Sequence, residues 1–265
     1  MDILTNFMAN ALPGLPPWLP PVMLAPFIGS FMGVLIQRLP EGRPIVMSRS
    51  ACDRCGHRLG IRDLVPIISY VARRGRCGYC NEPIGSFPLA IEFAALGVAA
   101  WAAVTVSPGD LWAACLLGWT LLTLSWIDVR TMILPDVLTL PLIAAGLAVN
   151  ALTDPGSLLN HGIAAVLGYG VLAAVAWSYR KFRGRDGLGL GDAKLLAAIG
   201  AWLGPGLLPF TVFVAACLGL LAAGAAMARG RHITAATAIP FGPCLAFAAW
   251  LLWLYGDQID DWLTG

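Results

Sequence analysis

The chain has 265 residues, of which 58% are hydrophobic and only 12% charged, with a net charge of +2. A soluble domain carries about 25% charged residues, so this composition excludes an ordinary soluble globular protein, and so small a net charge speaks against a nucleic-acid partner. The apolar residues fall in blocks long enough to cross a hydrocarbon core, which takes about 20 helical residues; helices are the default spanning element because lipid cannot satisfy open backbone groups.

The expected fold class is an all-α polytopic membrane protein of about eight transmembrane helices, with a small cytoplasmic zinc-binding domain between the first two. The predicted spans are roughly 20–37, 88–106, 110–127, 136–152, 158–178, 193–203, 207–228 and 238–255. The stretch 193–203 is short: it tilts, re-enters, or merges with the next span across Gly204-Pro205-Gly206. The first span does not read as a signal peptide, since no Lys or Arg precedes Arg38. Eight spans put both termini on one side, and all 17 Lys and Arg then fall on the other, in Arg38 to Arg76, Arg130, Arg180 to Arg185, Lys194, Arg229 and Arg231. By the positive-inside rule that side is cytoplasmic.

The loop 38–87 carries Cys52-Asp53-Arg54-Cys55 and Cys77-Gly78-Tyr79-Cys80, two CxxC pairs 21 residues apart. Each pair suits one knuckle of a four-thiolate zinc site. Disulfides are the first alternative, and a reducing cytoplasm argues against them; a redox pair is the second, and two pairs on one small knob fit a structural metal better. So small a knob cannot bury enough core to stand alone, and a metal supplies the missing stability. Gly56 and Gly78 are expected to help the chain turn tightly. His57 reads as a surface residue, and Cys115, Cys217 and Cys244 as small core residues of the spans.

Two acids stand out at the ends of apolar segments. Asp128 closes the third span, where the helix dipole disfavours negative charge. Asp136, behind Pro135, reads instead as a helix-start acid. The second acid, Asp192, follows a glycine-rich run, Gly187-Leu188-Gly189-Leu190-Gly191-Asp192. Glycines permit close backbone approach and positive φ, which would let this loop press Asp192 towards Asp128. A phosphate-cradling reading fails because no strand precedes the loop. An N-cap role for Asp192 is the plainer alternative. Two close carboxylates cannot both ionise cheaply, so they share a proton, activate water and protonate a substrate carbonyl oxygen. A proton-coupled transporter would place its acids near the bilayer midplane, whereas these fall at span ends. Lys194 either supports the Asp192 carboxylate or snorkels to headgroups. Glu92, at the start of a span, reads by itself as a dipole partner.

In combination these features resemble the type IV prepilin leader peptidase and N-methyltransferase family, over nearly the whole chain. Gly29-Ser30-Phe31-Met32-Gly33-Val34-Leu35-Ile36-Gln37-Arg38-Leu39-Pro40 looks like its GSFLNV…RLP signature, with Gly33 where Asn is usual. Ser50 to Cys55 and Gly75 to Cys80 look like its zinc knuckles, with Asp53 where Pro is common. Pro66-Ile67-Ile68-Ser69-Tyr70 resembles its PxxSY segment, and Pro88 to Glu92 the opening of its second span. Asp128 with Leu134-Pro135-Asp136, and Gly189-Leu190-Gly191-Asp192-Ala193-Lys194, look like its two aspartate motifs.

The resemblance implies an aspartic endopeptidase of the bacterial inner membrane, with the zinc domain and active site facing the cytoplasm. Asp128 and Asp192 carry over as the catalytic pair, and Cys52, Cys55, Cys77 and Cys80 as zinc ligands. The implied substrate is a prepilin or pseudopilin helix held at the lipid bilayer, cleaved after a glycine. The implied cofactors are structural zinc and S-adenosylmethionine, donor for N-methylation of the new terminus; a peptidase without methyl transfer is the alternative. Beside its dipole role, the resemblance offers Glu92 as a ligand for the substrate amino terminus or an aid to methyl transfer. The expected organisation is 1–37 tail and first span, 38–87 zinc-binding domain and 88–265 transmembrane peptidase core.

Overall fold

Every apolar block expected to span is helical in the computed structural model, which describes residues 14–45, 50–184, 189–230 and 239–264. Among these residues there is no strand, only two isolated β-bridges. Contacts divide the chain into two units, residues 2–119 and 120–265, with the helix Leu111–Thr131 running across the boundary.

In the first unit, α1 (Leu19–Arg38) opens on Pro20 and Pro21, where a missing N–H costs nothing, and closes on Arg38, which complements the dipole. After a short helix α2 (Ile68–Ala72), α3 (Phe87–Thr105) packs against α1. Small residues set that approach: a Cβ on Gly29 would lie 2.7 Å from the Cα of Glu92 and 3.0 Å from the Cβ of Ala95. Trp119, on α4 (Leu111–Thr131), donates its indole N–H to the Ala95 carbonyl at 2.9 Å, tying α4 to α3.

In the second unit, α5 (Asp136–Thr153), α6 (Leu158–Arg183), α7 (Leu190–Ala228) and α8 (Gly242–Thr264) follow the end of α4. The spans expected at 193–203 and 207–228 are thus one 39-residue helix, broken at Gly204 with φ 74° and ψ −177°. Pro205 has no N–H to give the Ala201 carbonyl. In lipid that carbonyl needs other donors, and it finds two, Asn150 Nδ2 at 3.1 Å and His161 Nδ1 at 3.2 Å. The break is therefore stitched to α5 and α6. Trp202 strengthens the stitch. Its indole donates to the Leu142 carbonyl at 2.9 Å, and its ring lies on Gly146, whose Cβ would come within 2.5 Å of it. Helices α6 and α7 meet backbone to backbone at Gly168, where a Cβ would sit 2.6 Å from the Leu196 carbonyl, and at Gly200, which lies on the Ala164 carbonyl.

Among the described residues, six helices are long and apolar enough to cross a membrane: Leu19–Arg38, Phe87–Thr105, Leu111–Thr131, Asp136–Thr153, Pro155–Phe182 and Leu190–Ala228. The last predicted span is a shorter apolar helix over Gly242–Gly256. The eight expected segments are present as helical arms, two of them joined through the Gly204 break.

Candidate active site

In the second unit two helix starts meet at one leucine that follows the end of α4. Helix α4 ends in a left-handed residue, Met132 with φ 55°, whose N–H bonds the Asp128 carbonyl at 2.8 Å. The chain then runs through Leu134 into Pro135, which precedes α5. Leu134 is buried and fills the gap between two helix starts. A Cβ on Gly191 would lie 3.0 Å from the Leu134 Cβ, and one on Gly242 would lie 3.4 Å from its Cδ1. Gly191 sits in the first turn of α7 and Gly242 opens α8, so both N-termini face the end of α4.

Asp128 is 6% exposed, and its Oδ2 accepts a hydrogen bond from the Gly242 N–H at 3.1 Å. A carboxylate at a helix N-terminus meets both an open donor and the positive end of the dipole. Asp192 is 9% exposed, in the first turn of α7, and its own N–H bonds the Gly189 carbonyl at 3.1 Å. It lies close enough to Asp128 to feel its charge. The structure therefore brings Asp128 and Asp192 into one electrostatic neighbourhood.

Several sequence expectations change here. Gly189 has φ −73° and Gly191 is helical, so neither supplies positive φ; Gly191 serves close approach to Leu134. Gly187, Leu188, Arg185 and Arg231 lie outside the described residues. Lys194 neither supports Asp192 nor snorkels free, because its Nζ is 2.6 Å from Asp136 Oδ1. Asp136 does open α5, as expected. Cys115 is buried, Cys244 partly so, but Cys217 is exposed on α7 and is no core residue. Gly242 was not marked by the sequence. The Gly242-Pro243 pair signals a helix start, but a backbone donor has no side-chain signature.

In the first unit the four knuckle cysteines converge. The Sγ atoms of Cys52, Cys55, Cys77 and Cys80 all lie within 4.8 Å of one another, and Cys52 and Cys80 are 3.8 Å apart. Bonds of about 2.3 Å in a tetrahedron give sulfur–sulfur edges of about 3.8 Å, so the cluster can hold a metal ion. The two knuckles fold alike. Cys52 N–H bonds the His57 carbonyl at 2.9 Å and Cys77 N–H the Glu82 carbonyl at 2.8 Å. Each then turns through a left-handed residue, Gly56 (φ 68°) or Asn81 (φ 59°). Gly78 has another task than the one expected: it makes room for the Arg73 guanidinium, which occupies the space its Cβ would take.

The N–H groups of Cys80 and Tyr79 point at the Cys77 sulfur and bring that thiol down to about 7. The Glu82 N–H acts likewise on Cys80, but burial and the three neighbouring thiols outweigh it and push Cys80 up to about 12. Asp63 binds the knob together. It accepts from Gly60 N at 2.9 Å and from the Tyr79 hydroxyl at 3.2 Å, and it pairs with Arg73. The Gly60 bond and the Arg73 charge hold its carboxyl below the usual range. His57 is exposed, as expected, and stacks on Tyr79 with ring centroids 3.5 Å apart.

A polytopic helical membrane protein with buried acids at helix ends and a four-thiolate knob is the class that fold and site define. The chain belongs to the type IV leader peptidase family, whose profile matches residues 115–224, while the bacterial peptidase A24 N-terminal domain matches residues 23–106. It is 38% identical over 262 residues to a prepilin leader peptidase/N-methyltransferase of Aeromonas hydrophila, covering 89% of each chain. A Pseudomonas aeruginosa protein of the same name is 38% identical over 267 residues, covering 90% of each. One from Burkholderia pseudomallei is 41% identical over 252 residues, covering 85% of this chain and 81% of its own. No solved structure matches. With its apolar helices, this family membership makes the chain a multi-pass inner-membrane protein.

Proposed function

We propose that this protein cleaves the leader peptide from type IV prepilin or pseudopilin precursors and N-methylates the residue so exposed, with Asp128 and Asp192 as its catalytic pair. The observation that carries the site is the burial of both acids, Asp192 in the first turn of α7 and Asp128 with its carboxylate on the N–H that opens α8. One carboxylate draws a proton from water, and the resulting hydroxide adds to the scissile carbonyl carbon. The other carboxyl gives its proton to the carbonyl oxygen, and the pair then returns a proton to the departing amine as the C–N bond breaks. No covalent acyl-enzyme forms. The Gly242 N–H keeps one oxygen of Asp128 fixed, leaving the other free to face water.

Zinc held by Cys52, Cys55, Cys77 and Cys80 would be structural, since four protein ligands close its coordination sphere. S-adenosylmethionine is the methyl donor that the second activity requires. The names of the relatives join cleavage and methylation, so a peptidase without methyl transfer is not favoured. Gly33, the position that differs from the family signature, sits on α1 with its Cβ direction 3.5 Å from Ile91, an ordinary contact that disturbs nothing.

The test is incubation of membranes bearing Asp128→Asn or Asp192→Asn with a prepilin, read by intact mass. Each variant should leave the precursor uncut, and full cleavage by either would overturn the pair. In the wild type with S-adenosylmethionine, the mature product should gain one methyl group.

A further inference from the structure

We propose that Glu92 is a positioning residue: its buried carboxylate clamps a strained turn at Ile67 and thereby fixes α2 and the Cys77 knuckle on the end of α3. Everything it touches belongs to the first unit, and the aspartate chemistry makes no use of it.

Glu92 is 5% exposed, in the second turn of α3. Its Oε2 accepts a hydrogen bond from the Ile67 N–H at 2.7 Å, across 25 residues of sequence, and the Ser30 hydroxyl of α1 donates to the same carboxylate. Only glycine at position 29 lets α1 come so close, since any Cβ there would meet the Glu92 backbone at 2.7 Å.

Ile67 has φ 61° and ψ −55°. A β-branched residue avoids that region. The Ile68 N–H reaches back to the Pro66 carbonyl at 2.5 Å, closing a three-residue γ-turn of the rare, strained hand. Such a conformation persists only where its surroundings over-determine it. Glu92 provides that constraint on one side. On the other, the Val71 N–H bonds the Ile67 carbonyl at 2.9 Å and starts α2. Within α2, Tyr70 lies against Gly75, whose Cβ would come 2.8 Å from the Tyr70 hydroxyl, and the Gly75 N–H bonds the Tyr70 carbonyl at 2.9 Å. Gly75 is two residues from the Cys77 ligand. A continuous set of contacts thus runs from α3 through the strained turn to the metal knuckle.

A clamp on a backbone N–H needs an acceptor, and it does not need a charge. That separates it from a role in which Glu92 recognises a cation such as the substrate's amino terminus. It also makes the need for Glu92 depend on the strain: glycine at position 67 adopts φ > 0 freely and holds the turn without help.

The consequence for activity rests on the proposed function, so the test has a readout independent of it. The full chain in lipid nanodiscs is compared as wild type, Glu92→Gln, Glu92→Ala, Ile67→Gly and the Glu92→Ala/Ile67→Gly double variant. Amide exchange is followed over residues 67–72, and KM and kcat for prepilin cleavage are measured. Glu92→Ala should lose roughly tenfold or more of the protection of α2, as expected for leaving the Ile67 N–H without its acceptor, and raise KM with kcat nearly unchanged. Glu92→Gln should match the wild type in both, and the double variant should recover most of the protection. The proposal is overturned if Glu92→Gln is as damaged as Glu92→Ala, if Glu92→Ala keeps its protection, or if Ile67→Gly gives no rescue. If the exchange pattern holds while the wild type leaves prepilin uncut, the clamp stands and the assigned substrate fails.

Discussion

Asp128 depends on a residue with no side chain. A Cβ at Gly242 would lie 2.7 Å from Asp128 Oδ2, closer than such atoms approach in folded proteins, and a tight 3.1 Å from its Cγ. Gly242→Ala must therefore displace the carboxylate or break its 3.1 Å bond to the backbone N–H. A shift of about 1 Å in a reacting group costs about a hundredfold in rate, so cleavage should fall by between ten- and a hundredfold while the chain stays folded. Kinetics and thermal melting of Gly242→Ala in nanodiscs check this, and unchanged kcat would show that the bond is dispensable. The two aspartates were legible in the sequence because an acid in an apolar run is expensive and demands a reason. Gly242 was not, because its contribution is a main-chain donor brought from 114 residues away. Lys194 shows a different limit of sequence reading. Two residues along a helix is about 200°, on the opposite side of it, and i,i+2 neighbours do not face each other; its partner is accordingly Asp136 on α5, not Asp192.

At the scale of elements, the broken helix and the knob each turn a local defect into a specific contact. The Ala201 carbonyl, orphaned by Pro205, takes its donors from Asn150 and His161. Asn150→Leu keeps the bulk and removes one of them, so it should destabilise the protein by about 0.6 kcal/mol, the average for a polar contact between helices in a membrane, and by no more than about 1.7 kcal/mol; a denaturation series in mixed micelles measures it. The break itself could be read from Gly204-Pro205-Gly206, but its anchoring could not, because Asn150 and His161 are distant in sequence and carry no pattern. The knob was legible as two CxxC pairs. Its titration follows from geometry. The folded Cys77 thiol stands at about 7, below the ordinary thiol value of about 8.5. A group whose folded value is depressed stabilises the fold fully above its unfolded value and loses that stabilisation as pH falls through the folded one. Metal binding needs thiolates. Zinc uptake by the stripped protein should thus be strong at pH 8.5 and weaken as pH falls through about 7, with protons released as Cys80 is captured. A zinc-sensitive dye titration that is flat between those values would contradict this.

For the whole molecule, the path of α7 decides on which side its ends lie. A straight helix would carry Ala228 about 57 Å from Leu190. From Ala228 the chain must reach Gly242, which shares Leu134 as a neighbour with Gly191 in the first turn of α7. Fourteen residues, fully extended, cover at most about 50 Å, so a straight α7 would need a connection stretched to its limit. The break at Gly204, where φ 74° departs from helical geometry, relieves that demand. The charge pattern demands the same course. Lys194 and Arg229, on either arm, share a side only if the chain reverses between them, as the positive-inside rule asks of them. The eight-segment reading was legible because hydropathy and charge both obey the bilayer. The joining of two segments into one broken helix was one of three courses open to the short stretch 193–203, and only the backbone angles at Gly204 choose it. The arrangement predicts the outcome of alkaline phosphatase fusions, which are active only outside the cytoplasm. Fusions after Asp154 and after Gly206 should be active, while those after Glu41, Arg130 and Arg229 should be silent. An active fusion after Arg229 would mean that α7 crosses once, without reversal. It would also separate Arg229 from the acids' side of the membrane, leaving the short path to Gly242 without an explanation.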